Sequence, residues 1–149
     1  MVTNRADRLL DDPITSLSGV HRPNCDCELP SVNLDSGQMA VHLFAGLRVS
    51  DFTAARVWYD KLLGAPTFFP HATEAVWTVA EHGSVYVVED RPSAGRSVVL
   101  LFVDDLDGKL AEIADRGLEP DRIETPTQGV RKAVYHDPDG NEFGFGEAT

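Results

Sequence analysis

Two stretches of the chain match in kind. LRVSDF begins at residue 47 and LFVDDL at residue 101, a shift of 54. In each, an apolar run rich in β-favouring residues stops at an aspartate, and apolar residues at helical spacing follow. Asp51 and Asp105 are both placed to cap a helix. Glycines close the two helical patterns 13 residues after Asp51 and 12 after Asp105, at Gly64 and Gly117. A repeat of this length is one supersecondary unit used twice, which rules out most folds open to a chain of this size.

The order of elements supports the duplication. Val41 to Val49 reads as a strand, and the helix after Asp51 presents Phe52, Ala55, Val57, Trp58, Leu62 and Leu63 as its apolar positions. Short strands are expected at about 66 to 70, 74 to 80 and 84 to 89, separated by turn residues such as His82-Gly83. The scheme then restarts. Val98 to Val103 is a strand, Asp105 to Arg116 a capped helix, and strands follow near 118 to 124, 130 to 136 and 142 to 147. The expected fold class is α+β, with βαβββ modules at 41–92 and 96–147 inside a single domain, 41–149.

Residues 1–40 lack this periodicity. They carry scattered Asp, Asn, Ser and Pro, with one short helix-like run from Arg5 to Leu10. They are read as an N-terminal extension, either upstream of a natural start at Met39 or an arm that packs on a subunit or pocket. Cys25 and Cys27 are too few and too close for a disulfide framework. With His21 they fall one ligand short of a structural zinc site, so they are read as incidental.

Composition narrows the function classes. The 149 residues include 24 acidic and 13 basic ones, a formal charge of −11. Such a chain repels nucleic-acid phosphates and anionic lipid, so neither is an expected partner, while cationic small molecules are attracted. Nothing approaches the ~20 apolar residues of a membrane span, and the N-terminus lacks the apolar core of a secretory signal. The expected location is cytoplasmic. There is no G-x-S-x-G elbow, phosphate-binding loop or dinucleotide G-x-G-x-x-G.

The stretches LRVSDFTAARVWYDKLLG at 47 to 64 and DPDGNEFGFGE at 137 to 147, with the restart at 97 to 106, resemble the vicinal oxygen chelate superfamily. That superfamily includes glyoxalase I, bleomycin resistance proteins and extradiol dioxygenases. The resemblance covers about residues 41 to 147 and implies paired βαβββ modules forming a cup-like half-barrel, the glyoxalase/bleomycin resistance fold, often completed in a homodimer. In metal-dependent members, His, Gln or Glu from the first and last strands of each module hold a divalent ion. Carried over one by one, those positions fall on Phe44, Tyr86, Val98 and Gly144. None supplies an imidazole, a carboxylate or an amide. The Asp137–Gly140 turn is kept as geometry; the carboxylate expected four residues beyond it is not. His42 and Glu142 share a strand face with the missing ligands, but each lies two residues, ~6.6 Å, away.

Alternation assigns the cup lining on this plan. Phe44, Gly46 and Arg48 share one face, as do Val98, Leu100 and Phe102, and Glu142, Gly144 and Gly146. Leu43, Leu47, Val49, Val99, Leu101, Val103, Phe143 and Phe145 are assigned to the helix side. Arg48 is expected either to grip an anionic ligand group or to pair with an acid such as Glu142. Trp77 is expected either to stack on a planar ligand or to pack in the core, and Tyr86 to line the cup. Trp58 and Tyr59 are read as core, His71 and His82 as surface.

The expected ligand-binding set is therefore Phe44, Arg48, Trp77, Tyr86, Val98, Leu100, Phe102, Glu142 and Gly144, with no metal ligand and no cofactor. The expected function is stoichiometric binding of a small, cationic, partly aromatic molecule by a homodimer of the bleomycin-resistance type. The alternatives are a metal-dependent lyase, isomerase or dioxygenase with displaced ligands, a metal-free enzyme, and a regulatory dimer with a vestigial pocket.

Overall fold

Each helix begins where an aspartate ends a strand. In the computed structural model, which describes residues 40–149, Asp51 and Asp105 are both extended, and their carboxylates accept the Ala54 and Gly108 amides at 3.1 and 2.8 Å. These caps start α1 (Phe52–Leu63) and α2 (Leu106–Asp115), and each is worth about 1 kcal/mol. A second carboxylate reinforces each start. Glu89 accepts the Phe52 amide at 3.1 Å and Glu147 accepts the Leu106 amide at 3.3 Å. Negative charge at a helix N-terminus also meets the positive end of the macrodipole. The duplication thus extends to individual hydrogen bonds.

The helices separate the first strand of each module from its three successors. β1 (Leu43–Val49), β2 (Phe68–His71), β3 (Glu74–Ala80) and β4 (Gly83–Glu89) form one sheet in the order β1-β4-β3-β2. β5 (Val98–Phe102), β6 (Arg122–Thr127), β7 (Val130–His136) and β8 (Glu142–Ala148) form the other, in the order β5-β8-β7-β6. In both, the first and last strands of the module pair in parallel and the remaining pairs are antiparallel. The sheets do not close into a barrel.

One face of each sheet meets the helices in a single core. Leu47, Val49, Ala75, Trp77, Val85 and Val87 join Phe143, Phe145, Ala133 and Tyr135, with Tyr59, Leu62 and Ile113 from the helices. Leu101 and Val103 pack against it, half-buried. Leu43 does not reach the core: it lies at the open end of β1 opposite Gly83 and is 69% exposed. On α1 the buried positions are Phe52, Ala55, Tyr59 and Leu62. Val57, expected among them, is exposed. It sits two residues past Ala55, about 200° around the helix and so on the far side. β6 also starts later than the expected 118 to 124. The Gly117 and Leu118 amides bond back to Ala114 and Ile113 at the end of α2, so they are not free for a ladder.

Two polar joints tie the modules together. Arg116, at the end of α2, donates to the Lys61 and Leu62 carbonyls at 2.6 and 3.0 Å, a cation against the negative end of α1. The second joint is the Asp137–Gly140 turn. Cys25, Cys27, His21, Met39 and the helix expected at Arg5 to Leu10 lie outside the described residues. Among the described residues no helix is long and apolar enough to cross a membrane.

Candidate ligand-binding site

The remaining sheet faces point away from the core and carry several large exposed apolar side chains. Phe44, Val98, Leu100 and Phe102 are 51, 70, 42 and 59% exposed, on the faces that strand alternation assigned to them. The parallel registers bring together Phe44 with Ser84, Gly46 with Tyr86, Val98 with Glu142, Leu100 with Gly144 and Phe102 with Gly146. Tyr86 stands opposite the residue two beyond Phe44, and Gly144 opposite the residue two beyond Val98. The two modules therefore share one register, which fixes Tyr86 as the counterpart of Gly144.

On the first sheet this outward face is aromatic. The outer end of the Tyr86 ring lies over Gly46, where any Cβ would collide with it, and Val76 lies opposite Tyr86 on the next strand. The His42 and Phe44 rings are 4.9 Å apart, and His42 Nε2 is 2.9 Å from the Ser84 hydroxyl. Arg48 forms an ion pair with Asp90 at 3.0 Å. The expected Arg48–Glu142 pair does not form, because each is satisfied within its own module.

On the second sheet the outward face combines apolar and ionic groups. Glu142 accepts the Lys132 ammonium at 2.8 Å, with the Arg122 guanidinium at 3.7 Å and His136 Nε2 at 3.8 Å. Lys132 also lies 3.6 Å from Glu124, which Arg122 approaches at 3.1 Å. The Lys132 hydrogen bond is the main cause holding the Glu142 carboxyl below its usual range. Sequence reading missed Lys132, Arg122, Glu124 and His136. The signal was present for two of them: alternation along VRKAVYH puts Lys132 and His136 on the face of Val134, which pairs with Gly144.

Trp77 does not line this surface. It is 2% exposed on the helix side, and its indole N–H donates to the Gly64 carbonyl at 2.8 Å. Its neighbours in β3 alternate, so Val76 and Thr78 point outward instead.

The Asp137–Gly140 turn does more than reverse the chain. Asp137, 5% exposed, accepts the Asp139 and Asn141 amides, the Asn141 side-chain amide and, at 2.7 Å, the Tyr59 hydroxyl. Asn141, fully buried, donates to the Arg48 carbonyl at 2.7 Å and accepts the Ser97 amide at 2.9 Å. Asp139 accepts the Ser50 amide and hydroxyl. Burial, with the Asp137 charge beside it, pushes the Tyr59 phenol far above its usual range. The turn therefore fastens α1 and the end of β1 to the second module, and a buried carboxylate with four donors is stable there.

A divalent metal does not fit the four carried-over positions. Phe44, Tyr86, Val98 and Gly144 face outward but offer no imidazole or carboxylate. The nearest alternative donors are engaged elsewhere, His42 with Ser84 and Glu142 with Lys132. Among the described residues no three His, Cys, Asp or Glu side chains gather into a group able to hold an ion.

The chain is similar to a glyoxalase/bleomycin resistance protein from Catenulispora acidiphila DSM 44928. The two share 50% identity over 74% of this chain and 100% of that one, with a TM-score of 0.70. TnmS3, an antibiotic-binding protein from Streptomyces sp. CB03234, is 25% identical over 74% of this chain and 98% of its own, at a TM-score of 0.57. A bleomycin-binding protein in complex with bleomycin shares the fold at 20% identity, over 75% and 99% of the two chains, with a TM-score of 0.53. No protein-family profile matches the chain, and no curated protein does.

Proposed function

The chain belongs to the glyoxalase/bleomycin resistance protein family of the vicinal oxygen chelate superfamily, and within it we propose a metal-free binding protein for a small, partly aromatic molecule. The observation that carries this is the chemistry of the outward faces. Four positions that hold metal donors in metal-dependent members are Phe44, Tyr86, Val98 and Gly144, and the surface around them is aromatic and apolar with one ion cluster. That is the composition of a ligand pocket in which a few polar groups set orientation.

Two copies complete the pocket. Val98, Leu100 and Phe102, alternate residues of one strand, and Phe44 on the other sheet are too exposed to be left in water without consequence. A symmetric homodimer that sets the first sheet of one copy against the second sheet of its partner would bury both and enclose a cup. The −11 charge draws cationic ligands toward that cup. The ionisable groups on its polar wall pair with one another, His136 with Asp121 at 2.9 Å and Lys132 with Glu142 at 2.8 Å, so the proposed role is sequestration rather than catalysis. The similarity to an antibiotic-binding protein supports the same role.

The test is a titration of chelator-treated protein with N-phenyl-1-naphthylamine and with a cationic acridine, read by the emission of the probe. Protein fluorescence is the poorer reporter, because Trp77 is buried away from the cup. Saturable binding with unchanged affinity after divalent ions are added is expected. Failure of both probes to saturate would argue against a binding cup.

A further inference from the structure

We propose that Lys132 is the specificity-determining residue of the cup, donating from its ammonium to an acceptor oxygen on the polar end of the bound molecule. Given the binding cup proposed above, the inference rests on an arrangement of glycines. Gly46, Gly144 and Gly146 have no positive φ, so no backbone conformation demands glycine at these places. What they provide is room. Tyr86 lies over Gly46, the Phe102 ring over Gly146 with its nearest atoms 3.2 Å from where a Cβ would stand, and Lys132 with Leu100 over Gly144. A Cβ at residue 144 would stand 2.8 Å from Lys132 Cε and 2.9 Å from Leu100 Cδ1.

The bare strand thus lets one long side chain from β7 lie across β8. The Lys132 stem is sheltered, the side chain being 17% exposed, and the ammonium is delivered to a fixed point. An ammonium has three donors. Glu142 takes one at 2.8 Å, and Glu124 stands at 3.6 Å, beyond a good hydrogen bond. At least one donor remains for a ligand. The two carboxylates hold the ammonium in place, and the lysine stem shares the space over Gly144 with Leu100, two residues before Phe102 over Gly146. An aromatic body on those side chains, with a carbonyl, phenolic or acidic oxygen at its edge, meets both features.

Two probes isolate the oxygen. N-Phenyl-1-naphthylamine and 8-anilinonaphthalene-1-sulfonate share a ring system and differ by the sulfonate. Both are titrated against the full chain in about 0.15 M salt, where exposed charges more than about 8 Å apart are largely screened. Wild type is expected to prefer the sulfonate, because the contact with the Lys132 ammonium is local while the net charge of −11, which draws cations at long range, is largely screened at this salt. Lys132→Met keeps the stem and loses the charge, and its affinity for the sulfonate is expected to fall about tenfold, in line with loss of a charged hydrogen bond. Its affinity for the naphthylamine is expected to stay within about twofold on the same scale. Gly144→Ala, which displaces the lysine while leaving its charge, is expected to lose part of the preference. Equal losses for both probes, or an unchanged preference in both variants, would overturn the role of Lys132 while leaving the binding cup intact. If neither probe binds wild type, the cup and the role of Lys132 both fail.

Discussion

The two modules share one plan down to the carboxylates that start their helices, yet they differ at two places. Where the first module turns from β3 to β4 it has the short, exposed Glu81-His82 connection; the second has the buried Asp137–Asn141 network. On the outward face the first module carries Tyr86 and Phe44, with Val76 buried beneath, whereas the second carries Lys132, Glu142, Arg122 and Glu124 beside Leu100 and Phe102. The repeated plan supplies the scaffold. Divergence supplies the joint between the halves and the two unlike walls of the proposed cup. Unlike walls suit an asymmetric ligand with an apolar ring system and a polar edge.

The largest expected effect comes from breaking the joint. Asp137→Ala leaves the Tyr59 hydroxyl and the Asn141 side chain without their buried acceptor, and should cost about 3 kcal/mol or more in urea unfolding. A substitution in the opposite turn, His82→Ala, should cost under about 0.5 kcal/mol. Similar losses at the two sites would dissolve the contrast between them. Tyr59→Phe removes one hydrogen bond to that carboxylate and is expected to cost about 1.5 kcal/mol, measured by the same unfolding curve.

The helix caps probe the shared plan instead. Asp51→Ala and Asp105→Ala should each destabilise by about 1 kcal/mol, and values that differ severalfold would mean that the modules are less equivalent than their hydrogen bonds indicate. The smallest effect concerns the ionic wall. The folded-state acidity of Glu142 is strengthened by Lys132, so its pairing stabilises the fold above the ordinary carboxylate range and is lost as pH falls through the depressed folded value. The stability difference between wild type and Glu142→Gln, about 0.5 kcal/mol at neutral pH for a partly exposed pair, should shrink below about pH 4. A difference that grows on acidification would reverse the assigned sign.

Much of this architecture was legible in the sequence because it follows local rules. Aspartate caps, closing glycines and two-residue alternation placed both helices and put Phe44, Arg48, Val98, Leu100 and Phe102 on the outward faces. Pairing across strands was harder to read. Lys132 lies across β8 over Gly144, and that depends on how VRKAVYH registers against EFGFGEA. Arg48 was open to Glu142 in one dimension, but Asp90 at the end of its own sheet is the partner that space provides. Trp77 shows the limit of residue type: an indole suits ligand stacking and core packing equally, and only the parity of β3 decides. The turn was legible as a turn; its buried network draws on Arg48, Ser50, Tyr59 and Ser97, far away in sequence.

The measurement that tests the central claim most directly is metal content and probe binding on the same untagged sample. After incubation with each of Ni²⁺, Zn²⁺, Mn²⁺ and Fe²⁺ and desalting, the protein is analysed by inductively coupled plasma mass spectrometry and titrated with N-phenyl-1-naphthylamine. The prediction is a metal content far below one ion per chain together with saturable, metal-independent binding, as expected of a cup whose donor positions are Phe44, Tyr86, Val98 and Gly144. A stoichiometric ion, with probe binding that appears only when the ion is present, would contradict it.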